Sequence, residues 1–253
     1  MAPPQKNSEA AWFGDTRIDP AEKHKLVGAV FDSVADRYDL MNDLMSGGIH
    51  RLWKNKFVGL MRPRAHKTLL DMAGGTGDIA FRYRRAAGED TQITVADINA
   101  EMLRVGKKRA IDRGYIDGFT WNLENAEKLS FENNTFDNYS ISFGLRNVPR
   151  IDDALAEAHR VLKPGGSFFC LEFSNVEKKI LKKIYDGYSL RVIPRMGDVF
   201  AKDSNSYKYL VESIRKFPDR ANLSRRLRKA GFDKIEATPL TGGIAAIHIG
   251  RKY

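Results

Sequence analysis

The chain has 253 residues, 42% of them hydrophobic and 29% charged, which suits one α/β domain with a sizeable core and excludes wholesale disorder. Forty-two lysines and arginines against 32 acids give a formal charge of +10, which favours acidic surfaces without separating nucleic acid from anionic lipid. The single cysteine, Cys170, excludes an intrachain disulfide, and no run approaches the ~20 apolar residues of a membrane-spanning helix.

Residues 1–10 form a short polar leader without the apolar stretch of a signal peptide, so the sequence reads as cytoplasmic. The N-terminal part reads as helical. Asp19-Pro20-Ala21-Glu22 offers an acidic N-cap with proline at the first helical position. A second amphipathic stretch runs from Ile49 to Met61, with Leu52, Trp53, Phe57 and Leu60 at helical spacing. Between them lies a linker, residues 38–48, rich in methionine and aromatic residues.

From Lys67 short apolar runs alternate with helical stretches. Strands are predicted over Thr68 to Met72, Ile93 to Asp97, Phe119 to Leu123, Tyr139 to Phe143 and Ser167 to Phe173. Helices are predicted over Ala100 to Arg113 and Asp152 to Leu162. Such alternation implies a parallel sheet with crossover helices. Lys163-Pro164-Gly165-Gly166 is read as the stop that turns the second helix into the next strand. The runs Lys234 to Thr238 and Ile244 to Gly250 are joined too closely for a crossover, so they should pair antiparallel. Residues 176–222 interrupt the alternation and read as a helical insertion. The expected division is therefore a leader and helical segment over 1–66, then a core over 67–253 carrying that insertion.

The sharpest local signal is Leu70-Asp71-Met72-Ala73-Gly74-Gly75-Thr76-Gly77-Asp78, which leaves a strand and opens a helix. Its glycines let the backbone turn tightly and approach a ligand. Asp97, twenty positions after Gly77, stands where such folds place a ribose-binding acid. Gly75-x-Gly77-x-x-Ala80 also satisfies the looser dinucleotide pattern, so charge has to separate the two ligands. Pyrophosphate would meet Asp71 and Asp78 unfavourably; the cationic S-adenosylmethionine would not. Asn125-Ala126 after the third core strand could then hydrogen-bond an adenine.

The chain closely resembles the ubiquinone/menaquinone biosynthesis C-methyltransferases from about Trp12 to Tyr253. The segments that carry the resemblance include Tyr38-Asp39-Leu40-Met41-Asn42-Asp43 and Gly48-Ile49-His50-Arg51-Leu52-Trp53-Lys54. The glycine loop, Asp97-Ile98-Asn99-Ala100, Phe143-Gly144-Leu145-Arg146-Asn147, Leu171-Glu172-Phe173-Ser174 and Ser206-Tyr207-Lys208-Tyr209-Leu210 continue it. The resemblance implies a Rossmann-like class I methyltransferase fold, a mostly parallel sheet of about seven strands ending in an antiparallel hairpin. It also implies methylation of a ring carbon of a prenylated benzoquinol or naphthoquinol. Carried over by motif, cofactor contacts fall on Thr76, Asp97, Asn125, Ala126 and Ser142, joining Asp71, Gly75 and Gly77.

Ring-carbon methylation needs an ionised ring oxygen with a positive group beside it. Arg146 is expected to stabilise that quinolate or to hold the water that takes the proton, and Asn147 to orient the ring oxygens. Tyr38, Met41 and His50 are candidates for the acceptor side. The five histidines show no metal-site spacing, so no metal is expected. The basic clusters, including the lysines within 178–183, read as solvated helix faces or as contacts to anionic membrane. A homodimer or a biosynthetic complex is also compatible with this reading. An RNA methyltransferase would be expected to bring an RNA-binding module. A non-catalytic cofactor-binding subunit would not need Arg146.

Overall fold

The computed structural model describes residues 11–13, 16–18, 43, 46–174 and 204–253. Two short strands, β1 (Ala11–Phe13) and β2 (Thr16–Ile18), pair antiparallel just after the polar leader, a hairpin that the sequence did not announce. The proline-capped helix expected after Asp19 lies outside the described residues. Helix α1 (His50–Met61) follows.

The core then runs β3 (Thr68–Met72), α2 (Asp78–Ala87), β4 (Gln92–Asp97), α3 (Ala100–Asp112), β5 (Phe119–Leu123) and β6 (Phe136–Ser142). A short 3-10 turn (Leu145–Asn147), α4 (Ile151–Val161), β7 (Leu162–Phe173), α5 (Ser204–Lys216), α6 (Arg220–Lys229), β8 (Asp233–Leu240) and β9 (Ala245–Arg251) complete it. Helices α5 and α6 stand where the helical insertion was expected to close, and α6 carries on past residue 222.

Seven strands form one sheet in the order β5-β4-β3-β6-β7-β9-β8. The first five are parallel; β9 runs antiparallel to both β7 and β8. Successive strand residues point to opposite faces, so each face builds its own core. Leu69, Val95, Phe169 and Leu171 pack with Phe57, Ile79 and Leu103 from α1, α2 and α3. Leu70, Tyr139, Phe168 and Cys170 pack with Leu155 of α4 and Leu223 and Leu227 of α6 on the other side.

Two differences from the sequence reading have physical causes. β7 starts at Leu162 with no separate connecting loop, because Leu162 already pairs with Phe136 and the Lys-Pro-Gly-Gly residues bulge within the strand. Gly165 takes φ +80 there, and its N–H donates to the Lys252 carbonyl. On α1 the buried face is His50, Trp53, Lys54, Phe57, Val58 and Met61, while Leu52 is 67% exposed and Leu60 lies at the surface. Two polar residues share the inward stripe with the apolar ones, so a purely apolar stripe picked the wrong rotation.

The amino-terminal edge of the sheet is closed by Asp137 at the start of β6. Its carboxylate accepts from the Thr68 N–H (3.0 Å), the Thr68 hydroxyl (2.9 Å), Lys67 (2.8 Å) and Lys163 (3.0 Å). Burial pushes this carboxyl up, but those partners outweigh it and hold it well below the ordinary range.

Candidate functional site

The carboxyl ends of β3, β4 and β6 open into one cleft of about 1010 Å³, counting the space at its mouth. In open α/β sheets this is where ligands bind. Its wall brings together Asp71, Gly75, Thr76, Asp97, Asn125, Ala126, Ser142 and Asn147, residues drawn from strand ends and the loops after them.

The loop from β3 to α2 forms the floor. Ala73, Gly75 and Gly77 take φ +52, +51 and +83, so the backbone doubles back within five residues. Gly77 lies behind the wall, where a β-carbon would come within 3.0 Å of both the Phe81 and Trp121 rings. Alanine at position 73 is accommodated by its neighbour across the site: a β-carbon on Gly144 would come within 2.4 Å of that of Ala73.

Asp97 ends β4. Its Oδ2 accepts from the Gly75 N–H and its Oδ1 from the Asn99 N–H, both at 2.9 Å. Burial still pushes this carboxyl up to about 6, against those amides. Asn99 in turn caps α3, accepting from the Met102 N–H at 2.9 Å. Asn125, beyond β5, accepts from the Glu127 N–H at 3.0 Å, which fixes its carboxamide beside Ala126.

Asp71 is 1% exposed on β3, and only its Oδ1 is engaged, by the Ser140 hydroxyl at 2.6 Å. Its Oδ2 has no hydrogen-bond partner; the Ala80 amide in the first turn of α2 leans towards the carboxylate without completing a bond. Burial, reinforced by the nearby Asp78 and Asp97, pushes Asp71 up to about 7. The Ser142 hydroxyl at the end of β6 is likewise buried without a partner. Buried polar groups left open at a cleft need an explanation, and a ligand bearing a cation and hydrogen-bond donors supplies one. S-adenosylmethionine fits this wall: an ammonium and a sulfonium for the acids, a ribose diol for Asp97, and an adenine edge for Asn125.

Two features escaped the sequence reading. Lys54 of α1 reaches the wall, 3% exposed, with its Nζ 2.8 Å from Asp78 Oδ2. Arg82 holds the other oxygen of Asp78 at 2.8 Å. Burial raises the Asp78 carboxyl, but Lys54 and Arg82 win and hold it at about 2. The signal was a lysine on an inward stripe, four residues after His50. The second feature is Glu172 of β7, whose role the sequence left open.

Arg146 does not line the cleft. Its side chain is 1% exposed and its Nη1 lies 2.9 Å from Oε1 of Glu172, itself 2% exposed. The same Nη1 donates to the Phe143 carbonyl, and the guanidinium carbon lies 5.7 Å from the Phe173 ring centre. Burial raises Glu172 beyond what Arg146 offsets. Asn147 does face the cleft, and its Oδ1 accepts from the Tyr209 hydroxyl of α5 at 3.1 Å. His50 sits at the start of α1, away from the wall, bonded through Nδ1 to the Ser46 hydroxyl at 3.0 Å. Burial, aided by Lys54, lowers it to about 4. Tyr38 and Met41 lie outside the described residues, as do the lysines of 178–183.

Residues 19–252 match the ubiE/COQ5 methyltransferase family. Among curated relatives, the ubiquinone/menaquinone biosynthesis C-methyltransferase UbiE of Brucella abortus (strain S19) is 54% identical over 95% of this chain and 90% of its own length. The protein of the same name from Zymomonas mobilis is 53% identical over 96% of this chain and 99% of its own. In solved structures the fold is similar to an S-adenosylmethionine-dependent methyltransferase of Thermotoga maritima, with a TM-score of 0.63 at 18% identity over 89% and 99% of the two chains. It is also similar to a Haemonchus contortus phosphoethanolamine N-methyltransferase in complex with S-adenosyl-L-methionine, with a TM-score of 0.58 at 15% identity over 79% and 52%.

Proposed function

Because the chain belongs to the ubiE/COQ5 methyltransferase family, we propose that it methylates a ring carbon of a prenylated quinol on the route to ubiquinone or menaquinone. It is an S-adenosylmethionine-dependent methyltransferase. The observation that carries the site reading is the open Oδ2 of Asp71 beside the amide-bound carboxylate of Asp97. An RNA acceptor and a non-catalytic role find no support in the relatives, which share the C-methyltransferase name over nearly their full length.

S-adenosylmethionine supplies, when bound, a methyl group on a sulfonium whose charge disappears on transfer. The chain's own residues have three tasks: to hold the donor, to present the ring carbon in line, and to keep water out. Asp71, Asp97, Asn125 and Ser142 hold the donor, with Gly75, Thr76 and Ala126 shaping the surface against it. Asn147 is placed to meet a ring oxygen: the Tyr209 hydroxyl occupies its carbonyl oxygen, which leaves the amide N–H groups for the substrate. Arg146 backs this turn. For its guanidinium to stand beside a quinolate it must exchange Glu172 for the ring oxygen.

His50 belongs, in this reading, to the acceptor side through α1, and Tyr38 and Met41 to the segment before it. No helix among the described residues is long and apolar enough to cross a membrane. Peripheral contact of a cytoplasmic protein with anionic lipid is the proposed route to a lipid-tailed ring. The deciding experiment is a methylation assay with benzoquinol and naphthoquinol acceptors carrying the same prenyl tail. Product from one or both sets the acceptor range. Product from neither overturns the quinol assignment and leaves the cofactor assignment standing.

A further inference from the structure

We propose that Lys54 is the cation that receives the carboxylate of the cofactor's amino-acid end, so that the enzyme recognises that end as a zwitterion. The proposal rests on S-adenosylmethionine being the ligand and adds a residue to its site. The order of the sheet gives the direction of the ligand. Asn125 and Ala126 follow β5, Asp97 ends β4, Asp71 lies on β3 and Ser142 ends β6, and these four strands are neighbours in that order. Adjacent strands lie ~4.8 Å apart, so the four ends span about 14 Å, the reach of an extended nucleoside joined to an amino acid. With adenine at β5 and ribose at β4, the amino acid must lie over β3 and β6.

Two groups at that end have opposite charge and spare valence. Asp71 offers an oxygen with no hydrogen-bond partner. Lys54 offers a buried ammonium, its side chain 4% exposed, and is the sole cation among the described residues of the wall. An ammonium carries three donors. One goes to Asp78 at 2.8 Å, its one described partner, which leaves donors at the cleft surface with water largely excluded. A free amino acid end presents an ammonium and a carboxylate on the same carbon. Asp71 takes the first and Lys54 the second, while Asp78, shared with Arg82, fixes where Lys54 stands.

A plain strut between α1 and α2 would also put Lys54 on Asp78, and a cation for the acceptor's ring oxygen would also need a lysine at the wall. Ligands separate the three. Calorimetric titration of the intact protein with S-adenosylmethionine and with its decarboxylated analogue, which lacks the carboxylate alone, should show about a 10–100-fold preference for the former. In Lys54→Met that preference should vanish, both ligands binding about as the decarboxylated one binds the unaltered protein. Lys54→Arg should restore part of it. Equal affinity of the unaltered protein for the two ligands overturns the proposal with no variant needed. Equal weakening of both ligands in Lys54→Met overturns it in favour of the strut. Unchanged affinities with lost turnover overturn it in favour of the acceptor. A protein that binds neither ligand refutes the cofactor assignment as well.

Discussion

Asp71 and Asp137 sit at opposite ends of the same pair of strands, one on β3 near its carboxyl end, the other at the start of β6, and their chemistry is inverted. Asp137 has four donors around it and is held ionised far into acid. Asp71 has one donor, an open oxygen, and a carboxyl raised to about 7. The same residue type thus stabilises the sheet at one end and is a standing cost at the other. The end that is left incomplete is the one that meets the ligand, so incompleteness marks the site better than residue type does.

The harshest way to break this contrast is to make a paired acid resemble Asp71. Arg146→Leu leaves Glu172 buried without its counter-charge, and should cost about 3–5 kcal/mol of stability in urea unfolding. A loss under 1 kcal/mol would mean that Glu172 takes up a proton at little cost and that the pair serves chemistry alone. Asp97 is the intermediate case, raised to about 6 even with two backbone amides on it. Asp97→Ala should weaken S-adenosylmethionine binding by ~1.5–3 kcal/mol in calorimetry. An unchanged affinity would class Asp97 with Asp137 as architecture.

The smallest effect is the most specific. The folded-state carboxyl of Asp71 lies above its unfolded value of 3.8, so the folded form holds the extra proton between the two and stability falls as pH rises through that window. Asp71→Asn should therefore gain nothing near pH 4, gain stability progressively to about pH 7, and level off above, by ~1 kcal/mol or more in ligand-free protein. Asp137 runs the other way, its contribution present at neutral pH and lost as pH falls below about 4. Thermal melts of Asp71→Asn and Asp137→Asn across pH would show the two slopes, and a common slope would sink the comparison.

Much of this was legible in the sequence. The Asp71 to Asp78 run gave a strand, a tight turn and a helix, and the spacing to Asp97 placed the second strand, because both rest on local rules of backbone conformation. The closing antiparallel pair followed from a connection too short to cross over. What stayed hidden depended on contacts across the chain. Lys54 looked like one more charge on an amphipathic helix until Asp78 and the cleft were beside it. Glu172 and Arg146 lie 26 residues apart in sequence, and nothing local marks them as partners. The bulge in β7 was concealed for the opposite reason, since Pro164 and two glycines signal a loop even where a strand absorbs them.

The place of β9 in the sheet has a consequence for how the chain is made. β9 comes after every other described element, yet it lies inside the sheet, between β7 and β8. A ribosome releases β8 first, at a stage when no strand is available to receive it. Until residues 245–251 clear the exit tunnel, the nascent protein carries a five-strand parallel sheet whose β7 edge is open, flanked by a waiting strand. An open apolar edge is a template for pairing with another chain. The interval before β9 pairs is thus one in which this protein depends on being shielded by the ribosome or a chaperone.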